Sequence, residues 1–178
     1  WDEELPLQLK REWHSYVEQL SKVVNVSVPR LVCPSDASMQ IHIFCDASEK
    51  GYGACSYIRA ETTNGKVSSV LLKSKVAPIA NRQTLARLEL YAAVLGSRLY
   101  GFIKESLKAE LRCYLWTDSM TVRHWINSSP SRWKTFVANR LSKIQRYTKE
   151  CVWNHVPGAE NPADLVSRGY LLDEVTTI

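Results

Sequence analysis

Residues 39–47 read Met39-Gln40-Ile41-His42-Ile43-Phe44-Cys45-Asp46-Ala47. They alternate, and towards the end both parities become largely apolar. That pattern suits a strand covered on both faces. It ends in a carboxylate, Asp46, which shares a face with Phe44 and His42 because alternate residues of a strand point the same way. Residues 51–59 predict a second strand. Asn64-Gly65 is a hairpin signal leading into a third strand over 67–73, so the first three strands should form an antiparallel meander.

The period then changes. Leu85, Leu88, Ala92, Leu95, Leu99 and Phe102 recur three and four residues apart, the stripe of an amphipathic helix. A short buried-strand run follows over 111–117, then a short helix over 120–127. Ser129 and Pro130 are start signals for a longer helix over 132–147. Residues 152–156 predict a fifth strand, and Pro162 opens a last helix through Val166. Three hairpin strands followed by helix-linked strands predict an α/β fold: a five-stranded mixed sheet, three strands antiparallel and the rest parallel, with helices on both faces. Upstream, Leu9, Trp13, Tyr16, Val17 and Leu20 give helical spacing over 7–22. Pro29 and Pro34 then punctuate an extended connector over 26–36. The expected organisation is a connection segment with one helix at 1–35, the α/β domain at 36–170 and a tail at 171–178.

The chain has 178 residues, 45% hydrophobic and 23% charged, with 7 Gly and 7 Pro. Such a composition is globular and excludes disordered and collagen-like classes. No apolar run approaches the ~18 residues of a membrane span. The first residues, Trp1-Asp2-Glu3-Glu4-Leu5, lack an initiator Met and a signal-peptide layout, as expected of a piece of a longer polypeptide. Five cysteines, Cys33, Cys45, Cys55, Cys113 and Cys151, show no C-x-x-C pair and predict reduced intracellular thiols. The net charge of +5 is uneven. Residues 119–150 hold seven Lys/Arg against Glu150 alone, a candidate nucleic-acid face or a solvated helix surface.

Four carboxylates fall at element ends. Asp46 ends the first strand, and Asp118 ends the fourth on the face of Trp116 and Tyr114. Glu89 lies in the first turns of the long helix, and Asp164 opens the last helix. If the first and fourth strands are parallel neighbours, Asp46 and Asp118 meet at their C-terminal ends, where open α/β sheets place ligands. Converging carboxylates need a compensating charge or their pKa values rise. No Lys or Arg in the flanking motifs is an obvious partner. Oxygen donors without His or Cys favour Mg²⁺ or Mn²⁺, and two such ions ~4 Å apart suit phosphodiester hydrolysis.

Phe44-Cys45-Asp46-Ala47-Ser48, Arg87-Leu88-Glu89-Leu90, Leu115-Trp116-Thr117-Asp118-Ser119 and Asn161-Pro162-Ala163-Asp164 together resemble ribonuclease H. They are most similar to the ribonuclease H region of BEL/Pao-type retrotransposon polyproteins. Trp1-Asp2-Glu3, Ser131-Arg132-Trp133-Lys134-Thr135-Phe136-Val137-Ala138-Asn139-Arg140 and Val156-Pro157-Gly158 extend the resemblance from residue 1 to about 169. It implies a ribonuclease H-like fold with the first strand central. It implies cleavage of the RNA strand of an RNA–DNA hybrid during reverse transcription. The parent would be a polyprotein with protease, reverse transcriptase and integrase, acting inside the cell in a cytoplasmic virus-like particle or the nucleus. By position, Asp46 would bridge two Mg²⁺ ions, Asp164 would complete the water-activating site, and Glu89 and Asp118 would hold the metal on the leaving side. His155 matches a mobile His that aids turnover; the other reading is a strand-end ring packed beside Trp153. Arg132, Lys134, Arg140, Lys143 and Arg146 would hold the hybrid, with Trp133 as core or contact.

Three other readings fit less well. A metal-free nucleic-acid-binding or scaffold module with a degenerate form of the same fold, such as a host-captured copy, sits poorly with acids at all four positions. A retroviral-type integrase core needs a Glu about 35 residues after the second Asp, where this chain has Trp153. An aspartic peptidase needs a Gly that Asp46-Ala47-Ser48-Glu49 lacks.

Overall fold

The computed structural model describes residues 4–21 and 36–170. The expected connector at 26–35, Cys33, Trp1-Asp2-Glu3 and the tail at 171–178 lie outside the described residues. The chain divides into two compact units, and the larger spans 31–169. In the smaller unit the predicted first helix is α1 (Leu7–Leu20), and its stripe of Leu9, Trp13, Tyr16, Val17 and Leu20 is exposed.

The larger unit is built on one sheet of β1 (Ser38–Ala47), β2 (Gly51–Glu61), β3 (Val67–Pro78), β4 (Arg112–Thr117) and β5 (Val152–His155). The spatial order is β3-β2-β1-β4-β5, with β1 central. β1–β2 and β2–β3 pair antiparallel, and β1–β4 and β4–β5 pair parallel, as the sequence predicts. Gly65 takes a left-handed φ of 80° in the turn between β2 and β3, the conformation that favours glycine there. β3 runs five residues beyond the predicted Lys73. It is an edge strand whose extension, Ser74-Lys75-Val76-Ala77-Pro78, has no apolar alternation, yet its backbone pairs with β2 as far as Gly51↔Pro78.

The odd residues of β1, Ile41, Ile43 and Cys45, are at most 1% exposed beneath α2 (Leu85–Leu107). α2 approaches so closely that a Cβ on Gly96 would lie 2.3 Å from the Cys45 Sγ. The apolar stripe needs correction. Leu85 and Phe102, its two ends, are exposed, while Leu90, Ala93, Val94, Tyr100 and Ile103 are buried. The helix packs on β1, β2 and a second helix at once, so its buried face is wider than one stripe. That second helix is α4 (Thr135–Tyr147), preceded by α3 (Met120–Ile126). Val122, Ile126, Leu141 and Ile144 complete this core. The Ser129-Pro130 signal opens a separate 3₁₀ turn, Pro130–Arg132, and α4 begins only at Thr135 after an extended Trp133.

The opposite face of the sheet carries α5 (Ala163–Arg168) across the ends of β1 and β2. There a Cβ on Gly53 would meet Val166 at 2.5 Å. Beyond α5 this face is a row of half-buried rings. His42 stacks on Tyr114 and Trp116, Phe44 stacks on Trp116, and Tyr57 meets Phe44 edge-on, with centroids 5.2–6.0 Å apart. The Trp116 Nε1–H donates to the His42 Nδ1. Cys45, Cys55 and Cys113 are buried free thiols and Cys151 is a half-buried one.

Candidate active site

The β1–β4 register aligns Phe44 with Trp116 and Cys45 with Thr117. The next residues, Asp46 and Asp118, are therefore neighbours on the ring-lined face. Their carboxyl groups are close enough to share a hydrogen bond. Asp46 is only 5% exposed. Burial pushes it up to about 6, and the charges of Asp118 and Asp164 push the same way against the Ser167 hydroxyl, which donates to its Oδ2. Asp118 is also raised, by burial first and then by the charges of Glu89 and Asp164, while its own backbone N–H and Asp46 hold it down. Burial and mutual repulsion make it costly to ionise both carboxyls here.

The other two acids arrive on helices. Glu89 comes from the first turns of α2 and accepts the Ser119 hydroxyl. Ser119 also caps α3 by accepting the Val122 N–H at 3.2 Å, so one side chain fixes both a helix start and an acid. Asp164 comes from the first turn of α5. Asn161 ties that turn to β1: its Nδ2 donates to the Cys45 carbonyl and its Oδ1 accepts the Ala163 N–H. One expectation is overturned here. Asp164 does have a cationic partner, the Arg168 Nε at 2.5 Å one turn along the same helix.

His155 ends β5 opposite Thr117, and its Nε2 lies 3.2 Å from the Asp118 carbonyl oxygen. Its ring is exposed. Gly158, two residues past the loop's Val156, lies so near that a Cβ there would come 3.3 Å from the Asp118 Oδ2. Ser119, Ser167, Asn161 and Arg168 act on the acids without having been singled out. Ser119 and Asn161 stood inside quoted motifs; Ser167 and Arg168 had only their i+3 and i+4 spacing from Asp164 as a signal.

Asp46, Glu89, Asp118 and Asp164 offer only oxygen donors, the kind that suits a hard divalent cation. The raised Asp46 and Asp118 fit that purpose, since a cation would offset the burial and repulsion that raise them. Among the described residues, no three acids, histidines or cysteines already converge as a metal-holding group.

The basic residues spread over a wider surface. Arg132 lies in the 3₁₀ turn and Lys134 at the start of α4, both exposed. Arg140 is wedged between the rings of Tyr91 and Phe136. Lys143 is exposed, and Arg146 lies over Tyr147. Trp133 is half-buried against the core, edge-on to Trp125, with its Nε1–H on the Ser128 hydroxyl at 2.6 Å. No helix among the described residues is long and apolar enough to cross a membrane.

Comparison with known proteins adds the following. The profile of the Pao retrotransposon-like RNaseH-like domain matches residues 1–119. A search of curated proteins returns no match. Among solved structures, the N-terminal RNase H domain of a Mycobacterium tuberculosis protein, studied as a fusion with maltose-binding protein, superposes with a TM-score of 0.50 at 18% identity. The match covers 79% of this chain and 98% of that one. LC11-RNase H1 in complex with an RNA/DNA hybrid, isolated from compost, gives 0.51 at 15% identity, covering 78% and 99%. These likenesses show the fold.

Proposed function

The chain belongs to the Pao retrotransposon-like RNaseH-like domain family, and from that premise we propose that it hydrolyses the RNA strand of RNA–DNA hybrids during retrotransposon reverse transcription. The observation that carries this reading is the Asp46–Asp118 pair: two same-face carboxyls on adjacent parallel strands, both raised, with Glu89 and Asp164 brought to them by α2 and α5. Asp46, Glu89, Asp118 and Asp164 would hold two Mg²⁺ ions, with Mn²⁺ as a substitute. Bound metal supplies Lewis-acid stabilisation of the phosphoryl oxygens and a water of lowered pKa.

The protein's own groups do the rest. Ser119 and Ser167 orient Glu89 and Asp46. Asn161 fixes the start of α5, and with it Asp164. Arg168 pairs with the Asp164 carboxylate. His155, whose ring meets the Asp118 carbonyl at an open strand end, would serve the turnover role. Arg132, Lys134, Arg140, Lys143 and Arg146 contribute the backbone-binding surface, which needs no sequence reading. The polymerase part of the same polyprotein is the covalent partner, and the setting is intracellular, in a virus-like particle or the nucleus.

Labelled hybrid incubated with Mg²⁺ or Mn²⁺ should yield RNA products with 3′-OH and 5′-phosphate ends, and excess EDTA should stop the reaction. Undiminished cleavage in EDTA would sink the reading. One observation favours a second reading, an inactive nucleic-acid-binding module: the Asp164–Arg168 pair competes for a metal ligand. Hybrid binding without cleavage in either metal, both by this chain and when it is joined to its polymerase, would establish that alternative.

A further inference from the structure

A cleft of about 310 Å³ opens between α2 and α4, lined by Tyr52, Tyr91, Arg98, Asn139, Arg140 and Lys143 among others. None of its lining residues is acidic. Among the described residues, neither Arg98, Arg140 nor Lys143 has a carboxylate within ion-pair distance. Three cations gathered around one concavity repel each other, and such a site is completed by an anion.

Arg140 is built into this cleft, unlike a flexible surface cation. Its guanidinium lies 4.5 Å from the Tyr91 ring centroid and 3.6 Å from that of Phe136. Nη1 donates to the Phe136 carbonyl and Nη2 to the Tyr91 hydroxyl, both at 2.8 Å. Two of the five N–H donors of an arginine are thereby used to fix its plane. The others have no protein acceptor among the described residues. Tyr52 stacks on Tyr91 with centroids 5.4 Å apart and makes an aromatic floor. Lys143 stands one turn along α4 from Arg140, and Arg98 stands two turns along α2 from Tyr91, about 10 Å away. A fixed planar fork, two exposed cations and an aromatic floor match a phosphodiester with its attached sugar.

One helix stands between the cleft and the acids, so a bound backbone reaching both runs past α2. α2 supplies both Glu89 and Tyr91, two residues apart and so on nearly opposite sides of the helix. Arg98 lies nine residues beyond Glu89, about 14 Å along the axis. We infer that this cleft grips a backbone phosphate of the bound nucleic acid a few nucleotides from the cleaved bond, independently of metal and of sequence. The inference rests on the hybrid being the substrate and adds where its backbone is held.

The test is hybrid binding in EDTA across a salt series, read by fluorescence anisotropy. The Arg98→Gln/Lys143→Gln pair, both exposed and outside the packed core, should reduce the slope of log K against log[salt] by about two. It should also weaken binding at least tenfold. A control pair removes the same charge elsewhere: Lys66→Gln in the β2–β3 turn and Arg112→Gln at the start of β4, at the end of the sheet opposite Asp46. The control should keep the wild-type slope. Equal slope losses in the two pairs, or an unchanged slope in the cleft pair, would overturn the cleft while leaving the ribonuclease reading intact. Absence of wild-type hybrid binding would overturn both.

Discussion

The two faces of β1 share one backbone and do opposite work. On the helix-covered face Ile41, Ile43 and Cys45 pack to at most 1% exposure against α2, and no titratable side chain but a thiol is admitted. On the other face the same strand carries His42, Phe44 and Asp46, half-covered by neighbouring rings until α5 closes over its end. The first face is held by apolar area, at about 25 cal/mol per Å². The second is held by ring stacking and by hydrogen bonds that end on a carboxyl. A one-residue register slip would exchange the two sets and bury Asp46 under α2. Stability should therefore reside mainly on one face and chemistry mainly on the other, and substitutions matched across the strand can separate them.

The largest expected effect is Asp118→Asn. The change is nearly isosteric, removes a charge from the acid pair and leaves the packed face untouched. Hybrid cleavage should fall by about a thousandfold, the scale of the several kcal/mol that charge stabilisation by a metal site supplies. The melting temperature in EDTA should hold or rise, because repulsion with Glu89 and Asp164 is relieved. Wild-type turnover in this variant would remove Asp118 from the site.

A matched pair of glycine substitutions cuts between the faces. Gly53 pairs with Asp46 on the chemical face, and its added Cβ would meet Val166 of α5 at 2.5 Å. Gly53→Ala should push α5 outward, taking Asp164 and Ser167 off Asp46. A shift approaching 1 Å at reacting groups costs roughly a hundredfold in rate, so activity should fall by about ten- to a hundredfold with little loss of melting temperature. Gly96→Ala should do the reverse. The new Cβ runs into the Cys45 Sγ and Ile43, both fully buried, so overpacking should cost about 1–2 kcal/mol after the better helix propensity of Ala is counted. Activity per folded molecule should barely change, and Cys45→Ala should restore the lost stability by making room. Equal losses of rate and stability in the two variants would mean that the faces are mechanically one unit.

The division also explains what the sequence disclosed. The helix-covered face was legible because apolar periodicity is its cause: the strand and helix types and the parity of Asp46 and Asp118 follow from it, while the central place of β1 beside β4 came from the family resemblance. The width of the α2 face was not, since Leu85 and Phe102 keep the helical period while facing solvent, and Gly96 and Ser97 are buried without being apolar. The length of β3 was hidden because an edge strand is held by backbone pairing alone. At the site, the four acids stood out by their element ends. Their supports did not: Ser119 on Glu89, Ser167 on Asp46 and Asn161 on the Cys45 carbonyl join residues 30, 121 and 116 apart in the chain. Arg168 was the one partner within reach of local reasoning, an i,i+4 neighbour of Asp164.

The smallest effect is a test of pH in the metal-free protein. Asp46 titrates at about 6 in the fold and near the usual ~3.9 when unfolded. Between these values the folded state binds more protons than the unfolded one, so this carboxyl makes the fold more stable as pH drops from 7 towards 4. In EDTA the melting temperature should thus rise by a few degrees between pH 7 and pH 5, the opposite of an ion-paired carboxylate. Asp46→Asn should flatten that rise, because the amide carries no charge to neutralise. Mg²⁺ should invert it: a cation binds the ionised pair, so added metal should raise the melting temperature at pH 7 and much less at pH 5. Gly96→Ala should shift every point downward without altering the slope, since the face it crowds holds no carboxylate. A melting temperature that falls from pH 7 to pH 5 in EDTA, equally in wild type and Asp46→Asn, would show that Asp46 ionises in the fold without cost and that the chemical face is open to water.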